Sequence, residues 1–119
     1  MNRVEIKNYK GNNIILIDLS SSSPEDTLIA LPLAQNLIHK SPSKSALVLT
    51  DVTGATYNKE VAQAIKDFTS TNTPYIKASA VVGADGVRSI LLQTVIMITR
   101  RELKQFKDRP AAMEWLAGH

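Results

Sequence analysis

Two apolar runs constrain this chain more than anything else in it. Ile14-Ile15-Leu16-Ile17 and Ala46-Leu47-Val48-Leu49 show no alternation of polar and apolar residues, so each suits a strand buried on both faces. Such strands need a covering layer above and below. The chain has 119 residues, 44% of them apolar, which is enough for one continuous core and too short for a second domain. The expectation is a single domain over residues 1–119.

The elements around the runs can be placed by their punctuation. Val4 and Ile6, with Ile14 to Leu19, read as two short strands around the turn-rich Asn8-Tyr9-Lys10-Gly11-Asn12-Asn13, which suggests a hairpin. Ser23, Pro24, Glu25 and Asp26 open a helix, with a capping hydroxyl, proline at the first position and acids in the first turn. It should bury Leu28, Leu31, Ala34 or Gln35, and Ile38, kink at Pro32 and end near His39. A second helix, capped by Thr56 or Asn58, should bury Val61, Ala64, Ile65 and Phe68. Tyr75 to Val82 reads as a strand with a small centre at Ala78-Ser79-Ala80.

From Val87 to Arg101 apolar residues recur at offsets of three and four, predicting a third helix. Leu103 to Phe106 reads as a short last strand, and Asp108 with Pro110 opens a terminal helix that buries Ala112, Trp115 and Leu116. The order is ββαβαβαβα. Strand-helix-strand units cross over right-handed and pair in parallel, so the fold class is α/β, a mainly parallel sheet of four to five strands flanked by four helices.

This order, with Leu49-Thr50-Asp51-Val52-Thr53-Gly54-Ala55, Tyr57-Asn58-Lys59-Glu60-Val61, Pro74-Tyr75-Ile76-Lys77-Ala78-Ser79-Ala80-Val81-Val82-Gly83 and Ala111-Ala112-Met113-Glu114-Trp115-Leu116, resembles the SpoIIAA-like, STAS-type family of bacteria, and most of all its small stand-alone branch. The resemblance covers nearly the whole chain. It implies a regulatory or protein-interaction module. Antagonists of that family carry Asp-Ser-Ser-Gly at the start of the second helix, where a serine is phosphorylated. Here the turn reads Thr56-Tyr57-Asn58-Lys59 and offers no serine, so only Thr53 or Thr56 could take that role.

Charge and composition narrow the function further. Fourteen Lys and Arg against eleven Asp and Glu give a net charge of +3, too small for the concentrated basic face of a nucleic-acid binder. Residues 88 to 109 hold six cations, Arg88, Arg100, Arg101, Lys104, Lys107 and Arg109, against Glu102 and Asp108. These read as helix-end and ordinary surface cations, with contact to an acidic partner or an anionic lipid surface as the lesser alternative. The chain has no cysteine, and histidine only at 39 and 119, which removes disulfides and thiol chemistry and leaves too few ligands for a zinc site. Val82 to Ser89 looks like a flavin-contacting segment of aromatic-ring hydroxylases, but the Gly-x-Gly-x-x-Gly turn such enzymes need is missing, and no cofactor is expected. Met1 to Ile6 contain no apolar signal core and no run reaches the ~20 apolar residues of a membrane span, so the expected location is the cytoplasm.

Open α/β sheets bind ligands outside the carboxyl ends of their strands. Two bends should meet there, one holding Asp51, Thr53, Gly54, Thr56, Tyr57 and Asn58, the other Gly83, Asp85, Gly86 and Arg88. Asp51 and Asp85 could face each other as a carboxylate pair, yet no histidine or nucleophile stands beside them and capping accounts for both. On the outer face of the third helix, Leu92 and Ile96 with Met97 at its edge suit a dimer seam. The chain therefore reads as a non-enzymatic interaction module, homodimeric and engaging a further protein. The alternative is a carrier or sensor of a small amphipathic or anionic ligand held at the strand ends.

Overall fold

The two apolar runs become adjacent central strands. In the computed structural model, which describes residues 3–85, 93 and 103–119, β1 (Val4–Tyr9), β2 (Asn12–Asp18), β3 (Ala46–Asp51), β4 (Ile76–Val82) and β5 (Leu103–Phe106) form one sheet in the order β1-β2-β3-β4-β5. β1 pairs with β2 antiparallel and every other pair is parallel. The hairpin ladder closes at Tyr9 opposite Asn12, leaving a two-residue turn of Lys10 and Gly11. Both have positive φ, 51° and 81°, the conformation that matches the twist of a hairpin.

Among the described residues three helices cover the sheet: α1 (Pro24–Ile38), α2 (Lys59–Asn72) and α3 (Arg109–Ala117). The sheet grows in one direction, so right-handed crossovers place α1 and α2 on the same face, while α3 follows the last strand onto the other. Strand alternation divides the core accordingly. Ile15, Ile17, Val48 and Val81 pack with Ala30, Ala34 and Ile38 of α1. Ile14, Leu16, Leu47, Leu49, Ala78, Ala80 and Val82 pack with Ala112 and Leu116 of α3. The small centre of β4 thus serves α3 with its two alanines and turns Ser79 to the opposite face. The helix expected over Val87 to Arg101 lies outside the described residues except for Gln93.

The helix starts follow the sequence closely. Ser23 Oγ accepts from the Asp26 amide at 3.1 Å while Asp26 Oδ2 accepts from the Ser23 amide at 3.1 Å, a reciprocal capping box. Asp108 accepts from the Ala111 amide at 2.9 Å. Asn58, not Thr56, caps α2, its Oδ1 accepting from the Val61 amide at 2.8 Å. Within α1 the buried residues are Thr27, Ala30, Leu31, Ala34 and Ile38, whereas Leu28 is half-buried. Thr27 goes inside because its hydroxyl has a partner in Ser22 Oγ at 3.0 Å. The helix runs through Pro32, which is exposed. Tyr75 belongs to a short 3-10 turn over Thr73–Tyr75 and not to β4, and Trp115 is half-buried, its ring 5.6 Å from that of Phe106. Glu114 accepts from Tyr9 and Lys10, tying α3 to the hairpin. Among the described residues no helix is long and apolar enough to cross a membrane.

Candidate functional site

Because β2, β3 and β4 run in parallel, their carboxyl ends share one rim, and the chain leaves each strand there through a bend. The bends interlock by backbone hydrogen bonds. Leu19 donates to Asp51 O at 2.8 Å, Ser21 to Thr53 O at 2.7 Å, Thr56 to Ser22 O at 2.9 Å and Val52 to Val82 O at 2.9 Å. Gly83 packs face to face with Thr53: a Cβ on Gly83 would stand 2.1 Å from Thr53 Oγ1 and 2.7 Å from its Cα and N, and its φ is +81°. The two bends expected to be neighbours are therefore in contact. The adjoining Gly86 and Arg88 lie outside the described residues.

The candidate residues on these bends divide into three groups. Thr53, Gly54, Thr56 and Asn58 are exposed, as is Asp85, which borders a shallow groove with Gly83, Ala84, Gln105, Phe106 and Lys107. Tyr57 is half-buried and turns toward the α1/α2 face, where it lines an apolar cavity of about 80 Å³. Asp51 is buried and committed to the scaffold. Its Oδ1 accepts from the Thr53 amide at 3.0 Å and the Thr53 hydroxyl at 2.7 Å, and its Oδ2 accepts from Arg109 Nε at 2.7 Å.

Strand register gives Asp51 a carboxylate neighbour that the sequence reading did not name. Asp51 stands opposite Asp18 in the β2–β3 ladder, and both point to the α3 face because each continues the parity of Leu16 and Leu49. Asp18 Oδ1 accepts from the Ser20 amide at 3.0 Å, the Ser20 hydroxyl at 2.5 Å and Arg109 Nη2 at 3.0 Å. Arg109 is thus no ordinary surface cation; from the first turn of α3 it holds both carboxylates at once. Burial pushes the Asp18 carboxyl up, but the Ser20 hydrogen bonds and Arg109 outweigh it and leave the pKa below the ordinary value. Burial likewise works against the charge of Arg109, and Asp51 and Asp18 outweigh it, raising its pKa. The signal was present in sequence: both apolar runs end in an aspartate, in Leu16-Ile17-Asp18 and Leu49-Thr50-Asp51.

Among the described residues no cluster of three or more potential ligands could hold a metal ion. The expected seam at Leu92, Ile96 and Met97 lies outside the described residues. On α1, however, Ile29 is 67% exposed and Leu33 51%, one helical turn apart with exposed Pro32 between them.

No family model and no curated protein matches the sequence. Among solved structures, the chain is similar to an uncharacterised protein of the DUF3478 family with a SpoIIAA-like fold from Shewanella loihica PV-4, with a TM-score of 0.72 and 17% identity over 95% of this chain and 91% of that one. At that identity the likeness establishes the fold. The five-stranded, mostly parallel sheet is SpoIIAA-like.

Proposed function

We propose that this SpoIIAA-like domain is a non-enzymatic interaction module that acts as a homodimer through the outer face of α1. The observation that carries the reading is the pair Ile29 and Leu33, large aliphatic side chains held in solvent one turn apart. The face they share continues through Pro32 and Asn36, both exposed and uncharged. A two-fold interface sets a patch against itself, and the stretch of this face from Ile29 to Asn36 carries no charge, the exposed Glu25 lying at its N-terminal edge. Packing the α1 helices across the axis would place Ile29 of each protomer near Leu33 of the other.

The rim supports binding over acid-base chemistry. Asp51 already accepts from Thr53 and Arg109 on its two oxygens, so both are engaged in holding the scaffold together. What the rim offers a further protein partner is a rigid display of the exposed Thr53, Thr56 and Asn58 on interlocked bends, the arrangement in which loops carry recognition.

Sedimentation velocity across a concentration series tests the dimer. The wild-type chain should sediment as a dimer, and the double variant Ile29→Glu/Leu33→Glu as a monomer whose circular-dichroism melt is nearly unchanged. A monomeric wild type, or a dimer that survives both substitutions, removes the reading.

A further inference from the structure

The apolar cavity on the α1/α2 face holds two polar atoms that nothing among the described residues satisfies. Its walls include Ile17, Val48 and Val81 from the sheet, Phe68 from α2 and Tyr57 from the rim. Among the same lining residues are Asn72, fully buried, and Ser79, 3% exposed. Among the described residues Asn72 Oδ1 and Ser79 Oγ have no hydrogen-bond partner, although nearly all buried polar atoms in native proteins do.

The local geometry directs both atoms inward. Asn72 Nδ2 donates to Phe68 O at 2.7 Å and Gln35 Oε1 at 3.4 Å. Two acceptors on that nitrogen fix the amide orientation and leave Oδ1 on the other side. Ser79 sits in the middle of β4 between Ala78 and Ala80, which face α3, so alternation turns its hydroxyl to the cavity side. Alanine or leucine at these positions would avoid the cost of an unpaired group. A single water occupies roughly 10–15 Å³ of such space, so about 80 Å³ has room for a molecule with a short hydrocarbon body.

We propose that this cavity binds a small, uncharged amphipathic molecule. Its apolar body lies against Phe68 and Val81, and its alcohol or carboxamide head donates to Asn72 Oδ1 and accepts from the Ser79 hydroxyl. The head is uncharged because the described lining residues include no Lys, Arg, His, Asp or Glu, and burying a carboxylate or phosphate without a counter-charge is too costly. The site lies within the helix-covered face, reaching the rim at Tyr57 and Ala84, and it is independent of the outer face of α1.

The test uses the full chain with hexan-1-ol, hexanamide and hexanoate as probes, followed by NMR and by thermal shift. The alcohol and the amide should raise the melting temperature and give cross-peaks from their methylenes to the Phe68 ring and Val81 methyls, while hexanoate at neutral pH should do neither. Ser79→Ala, a small change in a folded strand, should weaken hexanamide binding about tenfold, the loss of one hydrogen bond of ~1.4 kcal/mol. The proposal is overturned if neither neutral probe binds, if hexanoate binds as well as hexanamide, if the cross-peaks map elsewhere, or if Ser79→Ala leaves the affinity unchanged. Because the cross-peaks are read on the wild-type protein, the result does not depend on the variant folding, and a monomeric protein that binds hexanamide would separate this site from the dimer reading.

Discussion

Asp18 and Asp51 stand opposite each other on neighbouring parallel strands and hold a single guanidinium, that of Arg109. Two carboxylates at that spacing repel, and a cation between them converts the repulsion into a clamp. The clamp joins β2 and β3 to the start of α3, adding an ionic tie to the packing of Ala112 and Leu116 on that face of the sheet.

Arg109→Met should therefore destabilise the fold. Arg109 is 38% exposed at the side chain and Asp51 9%, so the penalty falls short of a fully buried pair, and a loss of about 1–3 kcal/mol is expected in urea or thermal melts. Arg109→Lys should recover only part of it, because an ammonium cannot present the planar fork that reaches both acids. A double-mutant cycle with Asp51→Asn reads the coupling directly, and additive effects would show that the two residues do not cooperate.

Acid should weaken the protein through the same cluster. The folded pKa of Asp18 lies below its ordinary value despite burial, owing to Ser20 and Arg109. The unfolded chain therefore takes up the proton first as pH falls. The stability this group supplies is complete above about pH 5 and is lost as pH drops through the ordinary carboxylate range to the depressed value. Asp26, held by the Ser23 amide and hydroxyl, adds a loss of the same sign. Urea midpoints from about pH 6 down to pH 3 should fall more gently for Asp18→Asn than for wild type; parallel curves would exclude Asp18 as a contributor.

Gly83→Ala should be far more damaging than Gly54→Ala. A Cβ at Gly83 meets backbone atoms of Thr53 at 2.7 Å, whereas at Gly54 the nearest atom is Ser21 Oγ at 3.4 Å, and both glycines have positive φ. The strained φ alone costs about 1–2 kcal/mol, which is the expectation for Gly54→Ala. Gly83→Ala must also push the bends apart, for a total of at least about 3 kcal/mol. Equal melting temperatures for the two variants would show that the bends do not pack as described.

Ser79→Ala should stabilise the unliganded protein. Its hydroxyl is buried without a partner among the described residues, and removing an unsatisfied group of this size gains about 1 kcal/mol. A higher melting temperature together with weaker hexanamide binding would mark Ser79 as kept for a ligand at the expense of stability. A loss of stability would mean that the hydroxyl has a partner in solution.

The sequence by itself determined the sheet strands, the helix starts and part of each helix face: Leu31, Ala34 and Ile38 of α1, Val61 of α2, and Ala112 and Leu116 of α3 are buried as expected, whereas Leu28, Ala64, Ile65, Phe68 and Trp115 are half-buried. These rest on short-range rules: unbroken apolar runs, a capping oxygen three residues before a free amide, proline at a helix start, glycine where φ turns positive. Ser23, Asn58 and Asp108 were all legible, and so was the meeting of the Thr53 and Gly83 bends, because parallel strands put their ends on one rim. Only the tertiary structure decided what Asp18, Arg109, Ser79 and Asn72 do. Arg109 lies 58 residues from Asp51, and no local pattern states which cation a third element will bring to a rim. Ser79 looks in sequence like part of a small-residue stretch; strand parity and packing separate it from Ala78 and Ala80 and turn it into the cavity. Local propensities write the elements, but whether a polar atom finds a partner depends on every element packed around it, and that is settled only when the layers close.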